Sequence, residues 1–316
     1  MYSDLYNYAF RRGQNLVISG LDTTDRIGGI HALGAIVDLK GGEDIGSRLT
    51  RYANALRAVL RGTDTTAMIV AARALGKLAV PGNVLTTELV EAEVQTALES
   101  LQVERQENRR FSAVLTLREL AQNSPTLLYQ HVSEILEVIW VALRDAKVLI
   151  REYSAEALNA LIEIIATRDP HQRDKWFLRI YAEIHRGFNQ NTVETVHGSL
   201  LALKELLLKG GMFMQQGSRY QEACDKIFYY KDHREALIRR EVTTMIPITA
   251  GYYPTEFSSS YLHKSMIHLQ GQLKREKDRN PAFVAIGKIA SAVGSAIDPY
   301  LDNILVYVRE GLSVKA

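Results

Sequence analysis

Residues 108–166 read NRRFSAVLTLRELAQNSPTLLYQHVSEILEVIWVALRDAKVLIREYSAEALNALIEIIA. From Leu128 the apolar side chains Val132, Ile135, Leu136, Ile139 and Leu143 recur every three or four positions, laying one stripe along a helix of period 3.6. Ser133, Glu134 and Glu137 fall on the opposite side. The spacing predicts a second helix with Ser154, Ala157, Leu158, Leu161, Ile162 and Ile165 inward and Arg151, Glu152, Glu156 and Glu163 outward. Arg144-Asp145 interrupts the stripe between them, and the Asp145 carboxylate is placed to cap the N–H groups that open the second helix. The two form an antiparallel pair, preceded by a third helix from Asn108.

One pair has too little partner surface to bury its stripe, so copies are required. The core of the second helix recurs as Ala32-Leu33-Gly34, Ala74-Leu75-Gly76, Thr116-Leu117-Arg118, Ala157-Leu158-Asn159, Ala202-Leu203-Lys204, Met245-Ile246-Pro247 and Ala285-Ile286-Gly287. Successive anchors, the middle residues, are 42, 42, 41, 45, 43 and 40 positions apart. A helix pair of that period lies in the range of roughly 40–47 residues spanned by HEAT and armadillo repeats. The expected fold is all-α, a single α-solenoid over 1–316. About seven HEAT-type helix pairs fall at 1–42, 43–83, 84–125, 126–169, 170–211, 212–254 and 255–297, with an unpaired helix in 298–316.

At 47% hydrophobic and 23% charged residues, the chain is ordered and large enough for one long solenoid or two globules, and the repeats favour the first. Its 38 basic and 36 acidic residues leave a formal charge of +2, which supplies no general pull toward nucleic acid or anionic lipid. A single cysteine, Cys224, cannot form an internal disulfide and fits a reducing compartment. Asp4, Arg11 and Arg12 interrupt the opening residues, so no secretory signal is legible there. No uncharged apolar run approaches the ~18 residues of a membrane span.

Along the chain, Tyr2, Leu5, Tyr6, Ala9 and Phe10 form the stripe of an outer helix over 2–18. Its partner holds Gly28, Gly29, Gly34 and Ala35. Glycine inside a helix costs about 1 kcal/mol against alanine, so this cluster predicts close approach of neighbouring helices. The next outer helix carries Ile45, Leu49, Tyr52, Leu56, Val59 and Leu60, and Asp64 restarts the chain into its partner. Gly41-Gly42, Pro81-Gly82, Asn123-Ser124-Pro125, Arg168-Asp169-Pro170 and Gly210-Gly211 read as turns. Pro247 is expected to kink or shorten its helix, and Asn280-Pro281 to start one. Leu301, Ile304, Leu305 and Val308 form a last stripe with no partner after it, the sign of a chain that continues.

No phosphate-cradling glycine motif and no H-E-x-x-H occurs, and His263 and His268 fall on different helix faces. Asp232-His233-Arg234-Glu235 lacks the asparagine and D-F-G that a kinase catalytic loop needs, so it reads as a helix start. Cys224 lies in the helical pattern EACDKIF, as a small buried thiol would. No catalytic, cofactor or metal residue is expected. The basic clusters near turns read first as solvated helix ends with salt bridges between repeats. As candidates for docking an acidic partner surface they supply Arg109, Arg110, Lys274, Arg275 and Lys277, with Trp176 beside them as an aromatic candidate.

The succession DRIGGIHALGAIVDLKGG, IGSRLTRYANALRAVL, ALGKLAVPG, ENRRFSAVLTLRELA, IREYSAEAL, the KW…RGF helix, VHGSLLALKEL and KREKDRNPAFVAIGKIA resembles the N-terminal HEAT region of the target of rapamycin (TOR) kinases, most strongly over 25–205. Lys209 to Asp232 is short where animal members carry a long insertion, which implies a fungal-type member, and Ser100 stands where those members have tryptophan. The resemblance implies a giant ATP-dependent serine/threonine kinase that controls cell growth in response to nutrients. Its catalytic domain, its rapamycin-binding domain and its Lst8-type subunit site would all lie elsewhere. It also implies that this segment is an interaction arm docking a raptor-type adaptor of complex 1. A rictor-type subunit of complex 2, the rest of the chain, a second protomer and the small GTPase Rheb are the further partners it brings in, at a cytoplasmic location reaching vacuolar or lysosomal surfaces through partners. A karyopherin-like carrier or a phosphatase scaffold stays open as the alternative.

Overall fold

The computed structural model describes residues 2–37, 45–82, 86–103, 105–168, 171–190 and 192–313, and every regular element among them is helical. They fall into two compact units, Met1–Arg173 and Asp174–Ala316. The first unit contains α1 (Tyr2–Ser19), α2 (Thr23–Val37), α3 (Ile45–Leu60), α4 (Thr65–Leu78), α5 (Thr86–Val103) and α6 (Glu107–Asn123). After these come α7 (Pro125–Leu128), a 3-10 turn at Tyr129–His131, α8 (Val132–Leu143) and α9 (Val148–Arg168). Helices α1, α3, α5 and α8 each pack on the helix that completes their pair, and the inner helices α2, α4, α6 and α9 lie side by side in that order. The anchors Leu33, Leu75, Leu117 and Leu158 are each at most 1% exposed, because each inner helix is covered by its own outer helix and by its inner neighbours.

Polar side chains stitch successive pairs together at the repeat period. Asp64 caps α4 by accepting from the Ala67 N–H (3.1 Å) and also receives the Thr23 hydroxyl (2.6 Å) and the Arg26 guanidinium (3.5 Å) from α2. Asn108 donates to the Arg61 and Gly62 carbonyls (3.1 and 3.0 Å), and Ser124 to the Ala79 carbonyl. Apart from the Asp64–Ala67 cap, each bond spans about one repeat, and each satisfies a backbone or carboxylate group at a helix end that the helix itself leaves unpaired.

The second unit contains α10 (Arg173–Gln190), α11 (Val193–Lys209), a 3-10 turn at Gly211–Gln215, α12 (Arg219–Tyr229) and α13 (Ala236–Tyr252). It continues with α14 (Pro254–Ser260), α15 (Leu262–Leu273), α16 (Glu276–Val293), a 3-10 segment Gly294–Tyr300 and α17 (Leu301–Ser313). Helices α11, α13 and α16 form its inner row, with Leu203, Ile246 and Ile286 buried. Thr192 and Thr195 build a reciprocal capping box at the start of α11. Aromatic side chains fill its core: Phe177 meets Phe213 edge-on at 5.5 Å, and Tyr220 packs with Tyr252, Tyr253 and Tyr261.

Several expectations are corrected. Arg151 does not point outward: it is 2% exposed, and its Nη1 donates to the carbonyls of Asp145 (2.5 Å) and Ala146 (3.1 Å). Side chains in a helix lean toward its N-terminus, so an arginine in the first turn can fold back onto the preceding loop. Leu5 is 65% exposed because the buried face of α1 runs through Phe10, Gly13 and Val17, a phase that misses it, and Ile45, first in α3, is 41% exposed. The helix expected to begin at Asn280-Pro281 starts at Glu276, leaving Pro281 in its second turn. Of the two outcomes expected at Pro247, a kink or a shortened helix, the second does not occur, since α13 runs 17 residues through it. Leu301 and Leu305 of the last stripe are 39% and 46% exposed, whereas Ile304 is buried. Gly41-Gly42 and Asp169-Pro170 lie outside the described residues.

The glycines of α2 divide. A Cβ on Gly29 would sit 2.8 Å from the Val17 nitrogen and one on Gly34 3.0 Å from the Tyr52 hydroxyl, whereas at Gly28 it would meet open space. Glu276–Glu310 has a window of mean hydropathy 1.2, which by length and composition alone could span a membrane. Here it is broken at Gly294 (φ +58°), and α16 buries Ala282, Ala285, Ile286 and Ile289 while packing on α13 and α15.

Candidate interaction site

Arg109 and Arg110 open α6 in the first unit. Arg110 is an internal clamp: its Nε donates to Asp145 Oδ2 at 2.6 Å and its Nη1 to the Arg105 carbonyl at 2.8 Å. The same Asp145 accepts from the Lys147 N–H (2.9 Å), one residue ahead of α9, so it closes the turn before that helix and does not pair an N–H within it as expected. Arg109 is half-buried beside it. In the second unit Trp176 is half-buried on α10 with the Arg179 guanidinium 6.0 Å above its ring. Lys274, Arg275 and Lys277 are exposed where α15 turns into α16, with Arg275 in the cap position of α16. The sequence candidates thus belong to separate local features, and one of them is committed to holding repeats together.

The first unit also presents a groove that sequence reading did not single out. It has a volume of about 990 Å³ and runs across the inner helices. Its α2 side carries His31, Gly34 and Ala35, its α4 side Arg73, Ala74 and Lys77, its α6 side Arg118, Glu119, Gln122 and Asn123, and Glu156 of α9 stands at the far end. The floor is an ion-pair network built on the buried Arg118 and Glu119. Arg118 bonds Glu119 through Nε (3.1 Å) and Nη2 and Glu156 through Nη1 (2.7 Å), with its guanidinium 4.7 Å over the Tyr153 ring. Burial penalises the charge of Arg118, and the two carboxylates outweigh that penalty, so its pKa is raised. Gly34, Ala35 and Ala74 are the small residues in its lining; beside it a Cβ on Gly76 would lie 2.8 Å from Glu119 Cβ, so α4 and α6 touch there. The legible signal was Arg73 and Lys77, four apart and therefore on one face of a repeat's inner helix.

A smaller apolar pocket of about 330 Å³ lies where α4, α6 and α9 begin, between Met68, Phe111, Ile150 and the partly exposed Val148 and Leu149, flanked by the Lys147–Glu107 ion pair (3.3 Å). In the second unit Cys224 is fully buried and its thiol is pushed up to about 12 by burial, which keeps it unreactive. Among the described residues no group of three or more His, Cys, Asp or Glu side chains is placed to hold a metal.

Rows of paired helices with buried anchors at a near-constant period define an α-solenoid of the HEAT/armadillo-like class. Solved karyopherin structures share this fold: yeast importin-beta (Kap95p) aligns with a TM-score of 0.62 at 16% identity over 98% of this chain and 38% of its own, and Kap121p with 0.59 at 11% over 98% and 32%. At those identities the likeness concerns fold alone. No family model matches the chain. Sequence similarity is far more specific. The serine/threonine-protein kinase tor1 of Schizosaccharomyces pombe is 41% identical over 299 residues, 95% of this chain, and TOR2 of Saccharomyces cerevisiae is 36% identical over 315 residues, also 95%. The TOR kinase of Oryza sativa is 36% identical over 294 residues, 92% of the chain. The chain therefore corresponds to an N-terminal HEAT-like segment of the TOR serine/threonine kinases, and it spans only 12–13% of the length of these relatives.

Proposed function

We propose that this solenoid is the scaffold arm of a TOR-type serine/threonine kinase that controls growth in response to nutrients, docking a raptor-type adaptor and supporting assembly of the complex. The observation that carries this reading is the collinear 36–41% identity to fungal TOR kinases over 95% of the chain. A segment that bears repeats and binding grooves can act by holding partners near an active site that lies in another part of the polypeptide. A rictor-type subunit, a second protomer, Rheb and a cytoplasmic setting at vacuolar surfaces belong to the same proposal.

The test is capture of a purified raptor-type adaptor by the immobilised chain, paired with its co-purification with the full kinase before and after deletion of this segment. Retention by the chain, and loss from the deleted kinase, are expected. An adaptor that ignores the chain and stays with the deleted kinase would refute the docking role.

A further inference from the structure

The unexplained feature of the groove is its distribution of charge. Among the described residues, the side chains of Arg73 and Lys77 have no ion-pair or hydrogen-bond partner, although both are exposed on one face of α4 and line the groove. Gln122, exposed on α6, is equally uncommitted, and its carboxamide can both donate and accept. Glu156 is 55% exposed at the α9 end and spends one oxygen on Arg118, keeping lone pairs for a second donor. Moving from α4 to α9, the groove therefore passes from two free cations, over a free carboxamide, to a carboxylate.

From this polarity we infer that the groove binds an extended peptide segment of a partner protein, laid across the inner helices with an acidic residue against Arg73 and Lys77 and a basic residue against Glu156. Neighbouring helices lie about 8–10 Å apart, so α4 to α9, two helices on, is roughly 18 Å. At about 3.3 Å per extended residue the two charged positions are roughly five or six residues apart. Gln122 faces the intervening backbone, whose N–H and C=O groups need partners once the groove excludes water. A continuous polyanion such as single-stranded nucleic acid is disfavoured, because its phosphates would run from the cations onto Glu119 and Glu156. The site is separate from the adaptor reading and does not rest on it.

Fluorescence anisotropy on the intact chain tests this with three labelled probes of equal length: Gly/Ser-rich peptides carrying Asp-Asp followed roughly five residues later by Lys, lysine at all three of those positions, and no charge. The first is expected to bind at least about tenfold more tightly than the other two. With carboxylates then at both ends of the groove, Arg73→Glu with Lys77→Glu should abolish that preference and transfer it to the all-lysine probe. Because both side chains are exposed and unpartnered, the melting temperature should fall by only a few degrees, the cost of a carboxylate in the last turn of α4, which separates lost binding from lost folding. Equal binding of all three probes, binding of none, or displacement of the first probe by a single-stranded oligonucleotide would each overturn the assignment. Adaptor capture by the double variant tells the two proposals apart, since the peptide site predicts no effect on it.

Discussion

Two glycines show how a residue's neighbours decide the sign of a change. Gly28 and Gly76 both sit inside helices, where alanine is favoured by about 1 kcal/mol. A Cβ at Gly28 meets nothing within 4 Å, so Gly28→Ala is expected to stabilise the chain by about 0.5–1 kcal/mol in urea unfolding. At Gly76 the same atom would press on Glu119 Cβ at 2.8 Å and Asn123 Nδ2 at 2.9 Å. The first of these is fixed to a helix backbone, so Gly76→Ala should destabilise by about 1–2 kcal/mol net, overpacking outweighing the propensity gain. Equal effects at both sites would mean that α4 and α6 do not approach as described. Sequence reading flagged the glycines of α2 as one cluster, and only the packing separates Gly29, which Val17 confines, from Gly28, which faces open space.

At the level of elements, helix ends carry the joints between repeats. Asp64 holds the start of α4 and two residues of α2, so Asp64→Ala should cost about 1 kcal/mol at neutral pH. Its carboxyl pKa is lowered, chiefly by the Thr23 hydroxyl and then by the Ala67 N–H. A carboxyl more acidic in the folded state stabilises above its unfolded pKa of about 3.9 and loses that contribution as pH falls through the native value. The gap between native protein and Asp64→Ala should therefore be full at pH 6 and shrink below about pH 4 in denaturant titrations. Helix α16 offers a second test. With the start at Glu276, Pro281 deletes an internal hydrogen bond to the Lys277 carbonyl, and Pro281→Ala should raise the melting temperature. A fall on that substitution would favour a helix that begins at Asn280. The asparagine-proline pair looked like a start because both residues suit the first turn, yet a proline in the second turn forfeits only one bond, which burial of Ala282, Ala285 and Ile289 offsets.

For the whole molecule, contacts in repeat arrays run mainly between neighbours, so stability is close to a sum over pairs and their interfaces. The first unit buries its own anchors among α2, α4, α6 and α9. A fragment ending at Arg173 is accordingly expected to keep a helical far-UV spectrum and a cooperative melt; a fragment without cooperative unfolding would show that its core depends on residues beyond 173. The amino-acid sequence alone determined the all-α class, the spacing of the anchors and the TOR-like order of motifs, because burial of one stripe per helix imposes a periodicity that is written locally. Tertiary structure alone decided that Arg151 folds inward, that Arg110 is tied to Asp145, and that Arg73, Lys77, Gln122 and Glu156 line one groove. Those outcomes depend on which helices become neighbours, and residues some forty positions apart come together only when the repeats stack.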